Sequence, residues 1–193
     1  VRQQFGPISS CLKSLEQRGL IFNQLSDALA TQQASEKAVA LATQAPELTT
    51  EQAHAYQQIA ATLDSFAVHL LEGVTGSGKT EVYFALIEQL LNESEQGHES
   101  AEPAQILIIV PEIGLTPQLL RRLKERFQIP IATLHSNISE QQRQDTWLRI
   151  GLGQYQIILG TRLSVFTPIA NLALIIIDEE HDHSLKQQEG FLY

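Results

Sequence analysis

The sequence predicts an α/β fold: a parallel β-sheet covered by helices on both faces. Three observations carry this. Short apolar runs recur at 67–71, 106–110, 131–134, 157–159 and 173–177. They show no polar alternation, as expected of strands buried on both faces. Segments of helical period separate several of them. A glycine-rich loop at 73–80 sits between an apolar run and a helix-forming stretch.

The elements follow in order. Residues 1–26 read as a helix running into a strand. Ser9 or Ser10 caps it, Leu12 and Leu15 give an apolar face, Gly19 stops it, and Leu20-Ile21-Phe22 follows. The end of a winged helix-turn-helix has this pattern, and so do many small folds. Residues 27–48 have linker composition, rich in Ala, Gln, Thr and Ser and ending near Pro46. From residue 49 to 193 the α/β pattern holds. Thr49 with Gln52 forms a capping box, and Tyr56, Ile59, Ala60 and Leu63 share one helical face. His69-Leu70-Leu71 is the expected strand before the glycine-rich loop, and Val82–Leu91 the helix after it. Thr116 caps a helix that has Pro117 in its first position, with Leu119, Leu120, Leu123 and Phe127 on its apolar side. Ser139 with Gln142 opens another helix.

Composition narrows the class. The 193 residues are 43% hydrophobic and 18% charged, as in ordinary globular proteins. The apolar run Leu172–Ile177 falls far short of the roughly 20 residues that cross a bilayer. No basic-then-apolar leader opens the chain. A single cysteine, Cys11, excludes an internal disulfide and a cysteine-built zinc site, and fits a reducing, cytoplasmic compartment. There is no methionine, even at position 1, which marks the chain as a piece of something longer. The net charge of −9 weighs against nucleic acid. The charge is regional, however: residues 117–149 carry six basic and three acidic side chains, a basic island in an acidic chain.

The chemistry concentrates in Gly73-Val74-Thr75-Gly76-Ser77-Gly78-Lys79-Thr80, a complete phosphate-binding loop. Glycines let successive N–H groups turn toward phosphate oxygens, and the helix starting near Lys79 aims its positive end at the same point. Lys79 is expected to neutralise the β- and γ-phosphates of ATP, and the Thr80 hydroxyl to ligate Mg²⁺. A second element, Asp178-Glu179-Glu180-His181, ends the run Leu174–Ile177. Carboxylates at the tip of a buried strand are costly unless they meet cations. Asp178 would then hold the metal and Glu179 polarise the attacking water. His181 either senses the γ-phosphate or caps the turn. Arg121, Arg122, Lys124 and Arg126 decorate the helix after Val110–Gln118. They either meet a phosphate backbone or line a solvated face.

In this order, Gly73–Thr80 with Glu81-Val82-Tyr83, Val110–Gln118, Leu134–Ser136, Gly160–Arg162 and Asp178–His181 resemble the first motor lobe of the superfamily 2 helicases. Glu179-Glu180-His181-Asp182 with Lys186-Gln187-Gln188-Glu189-Gly190 resembles the primosomal replication-restart branch of that superfamily. The resemblance covers residues 49–193 and, more faintly, 1–26, where that family has a winged-helix domain. It implies a RecA-like P-loop fold and an ATP-driven 3′–5′ DNA translocase. Such a motor recognises stalled or branched forks, acts on single-stranded DNA, and works with primosome proteins and single-strand binding protein. It implies that Gln52 reads adenine and that Thr116, Gln118, Thr161 and Arg162 face the single strand. Residues 182–193 resemble the family's aromatic-rich coupling loop. Leu185 and Phe191 stand where a tyrosine and a tryptophan are expected, and Leu192 in place of an arginine, so base stacking is weaker. The second lobe with its arginine fingers and the family's zinc module have no counterpart in these residues, so the chain alone is expected to be inactive.

Two other readings stay open. One is a P-loop kinase or transferase, in which Lys79 and Thr80 serve a small acceptor. The other is a non-catalytic nucleotide-binding module that recruits partners.

Overall fold

The computed structural model describes residues 46–96, 103–111 and 117–185. The expected winged-helix end at 1–26 and most of the linker at 27–48 lie outside them. The helices are α1 (Thr50–Ala60), α2 (Lys79–Gln96), α3 (Pro117–Phe127) and α4 (Glu140–Gly151). The strands are β1 (Gln105–Ile109), β2 (Ile131–Leu134), β3 (Ile157–Gly160) and β4 (Leu172–Ile177). Short 3₁₀ turns follow β3 at Arg162–Phe166 and β4 at His183–Leu185. Among the described residues no helix is long and apolar enough to cross a membrane.

The four strands form one sheet in the order β2-β3-β1-β4. Every pairing is parallel. Because β1 occupies an interior position, its side chains must be apolar on both faces. Tyr83, Phe84, Ile87, Leu90 and Leu91 of α2, with Leu123 and Phe127 of α3, pack on Ile106 and Ile108 from one side. Ile150 of α4 and the half-buried Ile138, Tyr155, Ile169 and Leu185 cover Leu107 and Ile109 from the other. The α/β class is as the sequence predicts; β1 and β3 are buried on both faces as expected, whereas β4 leaves Leu172, Ile175 and Ile177 exposed.

Local signals place the helices. Thr49 and Ser139 both accept from the backbone N–H three residues on, and Gln52 and Gln142 return the bond, so both capping boxes form.

One expected element is absent. Residues 67–71 form no strand; Ala67 to Leu70 are exposed in extended coil and only Leu71 is half-buried. Among the described residues β4 pairs with β1 alone, so its outer edge is open, and residues 67–71 do not pair with it. On β4, Leu174 and Ile176 enter the core, while Ile175 and Ile177 stay 45% and 54% exposed.

The N-terminal end of the sheet is closed by a fully buried Gln105. Its Nε2 donates to the Ile150 and Tyr155 carbonyls at 3.0 and 2.8 Å. Its Oε1 accepts from the Ala170 and Asn171 N–H groups at 3.0 and 3.2 Å. At the C-terminal end, Val110 N donates to Gly160 O, Thr161 N to Leu134 O and Asp178 N to Ile109 O. These bonds carry the ladder past the strands and bring the motif-bearing turns to one edge, where open α/β sheets bind ligands.

Candidate nucleotide-binding site

The phosphate loop enters α2 directly. Gly76 and Gly78 have φ of +83° and +79°, the left-handed region that favours glycine. At Gly78 a Cβ would also displace the Gln52 side-chain amide, so a side chain there would disturb that contact as well as strain the backbone. Ser77 N donates to Val74 O at 3.1 Å and closes the turn, with Thr75 exposed at its tip. Gly73 lies against Ser77, whose Oγ a Cβ at 73 would meet at 2.5 Å. Lys79, the first residue of α2, reaches back over the loop. Its Nζ donates to Gly73 O at 2.6 Å and to Val74 O at 3.3 Å.

Gln52 joins the loop from α1. Its Oε1 accepts from Thr49 N at 3.0 Å, and its Nε2 donates to Ser77 O at 2.8 Å. The residue that closes the capping box of α1 therefore also fastens the phosphate loop.

Asp178 leaves β4 toward α2. Its Oδ2 accepts from the Tyr83 hydroxyl at 3.2 Å, across 95 residues of sequence. Its Oδ1 accepts from Glu179 N at 3.0 Å. Thr80 lies three residues before Tyr83 on the same helix. Burial raises the Tyr83 phenol far above the usual tyrosine value. The Thr80 hydroxyl pulls it back and the Asp178 charge adds to the rise. The phenol therefore stays protonated, and a donor, at working pH. Glu179 has φ of +50°, strained for a residue with a Cβ, and its side chain is exposed. His181 is exposed in the turn that follows.

Through Tyr83 the structure ties Asp178 to α2, the helix that opens with Lys79 and Thr80. Sequence reasoning missed Tyr83 as a partner, although a signal was present. It lies three residues after Thr80 on the apolar face of α2, and a buried phenol needs a hydrogen-bond partner.

The basic helix divides. Arg122 donates to Glu81 at 2.7 Å and lies over the Phe84 ring, 5.4 Å from its centroid, tying α3 to α2. Arg126 is buried and donates to Glu88 at 2.6 Å. Arg121 pairs with Glu125 one turn away at 3.6 Å, both exposed. Lys124 and Gln118 are exposed, and Thr116 lies outside the described residues. Thr161 and Arg162 are half-buried at the start of the turn after β3. There Gly160 leaves room for Ser164 against the chain, space a Cβ would occupy.

The family model for DEAD/DEAH box helicases matches residues 49–192. The chain belongs to the DEAD/DEAH box helicases. It is 49% identical over 128 residues to the replication restart protein PriA of Haemophilus influenzae, 66% of this chain and 16% of that protein. It is 47% identical over 148 residues to that of Synechocystis, 77% of this chain and 17% of the relative. Against the Bacillus subtilis protein the identity is 44% over 144 residues, 74% and 17% of the respective lengths. The chain thus spans about one sixth of the relatives it matches. As a DEAD/DEAH box helicase it is a P-loop NTPase by family, and the likeness to replication-restart helicases expected from the sequence holds.

For Mg²⁺ the donor set fits. Thr80 offers a hydroxyl and Asp178 a carboxylate, and this ion takes one or two protein oxygens plus substrate phosphates and water. Among the described residues no group of three or more His, Cys, Asp or Glu forms an all-protein cage.

Proposed function

We propose that residues 49–193 form the ATP-binding first lobe of a replication-restart DNA helicase, with residues 1–26 ending a winged-helix DNA-binding domain. The observation that carries the reading is the Tyr83–Asp178 bond at 3.2 Å. It joins the phosphate-loop helix to the acidic end of β4. Lys79 binds the β- and γ-phosphates of ATP once its ammonium leaves the loop carbonyls, and Gly73, Thr75, Gly76, Ser77 and Gly78 offer backbone N–H groups to the same phosphates. Thr80 and Asp178 hold Mg²⁺, which when bound neutralises charge developing between the β- and γ-phosphates. Glu179 orients and polarises the attacking water. Gln52 contacts adenine, and His181 lies where the γ-phosphate can be sensed.

Gln118, Thr161 and Arg162, with Thr116 and the exposed Arg121 and Lys124, contact the phosphates of single-stranded DNA. Arg122, engaged by Glu81, acts between the helices that carry the two sites. Stalled or branched forks as substrate, 3′–5′ translocation, primosome proteins and single-strand binding protein as partners, and a cytoplasmic setting follow from the likeness to replication restart proteins. A zinc module belongs to the longer relatives on this reading. The 193 residues alone turn over ATP poorly, because an arginine finger, worth about 10³–10⁵ in rate, comes from a second lobe.

Steady-state ATPase assays of the full-length protein, with and without single-stranded DNA, test the reading. Lys79→Ala should abolish DNA-stimulated turnover. Rates within about twofold of wild type would reject the assignment of the phosphate loop.

A further inference from the structure

We propose that Tyr83 is a positioning residue for the divalent cation, its hydroxyl holding the Asp178 carboxylate beside the Thr80 hydroxyl. The inference rests on the ATP-site reading above and deepens it. Three observations carry it. The Tyr83 hydroxyl donates to Asp178 Oδ2 at 3.2 Å. Thr80 lies three residues before Tyr83 on α2, so the two side chains share one helix face. The ring cannot drift, because Tyr83 is 6% exposed and packs edge-on against Phe84, with centroids 5.4 Å apart.

The arrangement divides the work at Asp178. Oδ1 is held by the Glu179 N–H at 3.0 Å and Oδ2 by the phenol, which fixes the carboxylate plane. Each oxygen keeps lone-pair capacity for a cation after accepting one hydrogen bond. A ligating carboxylate whose outer partner is removed loses orientation, and such losses cost about ten- to a hundredfold in metal affinity. Tyr83 touches neither the reacting phosphate nor the water, so its influence passes through Asp178 and Thr80.

The test titrates Mg²⁺ into the full-length protein holding a non-hydrolysable ATP analogue, with calorimetry reading the Mg²⁺ midpoint. Tyr83→Phe keeps the packed ring and removes the hydroxyl. It should raise the midpoint about ten- to a hundredfold, with analogue binding in EDTA weakened far less. In an Asp178→Asn background, Tyr83→Phe should add no further shift. A Tyr83→Phe midpoint equal to wild type, while Asp178→Asn shifts it, overturns the role of Tyr83 and leaves the ATP site standing. An Asp178→Asn midpoint equal to wild type overturns both. Should Tyr83→Phe lose analogue binding in EDTA as well, 3-fluorotyrosine at position 83 replaces it. Its ¹⁹F resonance should move when Mg²⁺ joins the bound analogue, and an unmoved resonance overturns the proposal.

Discussion

The two ends of the sheet are built from the same strands and finished in opposite ways. At the N-terminal end Gln105 is fully buried and uncharged, with both side-chain groups doubly hydrogen-bonded. At the C-terminal end stand an acidic turn, a Glu179 in left-handed backbone and a lysine folded onto loop carbonyls. The first end gives both groups of the Gln105 amide their partners, which stabilises the fold. The other carries charge and strain that a closed end would not tolerate, which is where a ligand can do work.

The largest test of this contrast is Glu179→Gln in the full-length protein. Removing a general base costs typically 10²–10⁴ in rate. Hydrolysis should collapse while the ATP analogue stays bound, since Thr80 and Asp178 remain; loss of analogue binding by calorimetry would make Glu179 structural. At the opposite end, Gln105→Leu should leave activity per folded molecule intact and lower stability. It removes the partner of the Tyr155 carbonyl and of the Ala170 N–H, while the Ile150 carbonyl still accepts from Gly153 N. At about 1–3 kcal/mol for each unsatisfied group, a net loss of about 2–5 kcal/mol is expected. A urea midpoint equal to wild type would mean that water replaces the amide.

Gly160→Ala lies between the two cases. Its Cβ would drive into Ser164 and come within 3.0 Å of Leu134 O. Overpacking of this kind costs about 1–3 kcal/mol, and the turn bearing Thr161 and Arg162 must shift with it. Single-stranded DNA binding should weaken along with the unfolding midpoint; a fall in stability with DNA affinity unchanged would separate that turn from the DNA. The smallest effect belongs to Arg121→Ala. Its exposed pair with Glu125 is worth about 0–1 kcal/mol, so stability should hardly move. If Arg121 meets a DNA phosphate, the salt dependence of binding should lose roughly one unit of slope. An unchanged slope would make it a solvated surface residue.

Much of this was legible in the sequence, and the rest has a common cause. Four of the five expected strands occur, each within a residue of its expected bounds, because each puts apolar side chains into the core. Both capping boxes form because their chemistry is local. The run at 67–71 fails as a strand because strand formation depends on a neighbour, and periodicity carries no record of neighbours. Which residues partner Tyr83 and Arg122 was illegible for the same reason. These pairings depend on the order β2-β3-β1-β4 and on the helices packed against it, and no spacing along the chain encodes either. Leu185, an unexpected residue in a loop expected to be aromatic, has a reason in the structure: it packs on the core cluster of Leu107 and Ile109.

The double use of Gln52 has a consequence for how the protein opens. The amide that caps α1 is the amide that holds Ser77 O. Fraying the first turn of α1 therefore releases the phosphate loop in the same event, and tightening the loop stops the fraying. The amide hydrogens of Gln52 and Ala53, which bond to the Thr49 side chain and carbonyl, become reporters of loop order. Their exchange rates should slow together when nucleotide binds, although neither touches a phosphate.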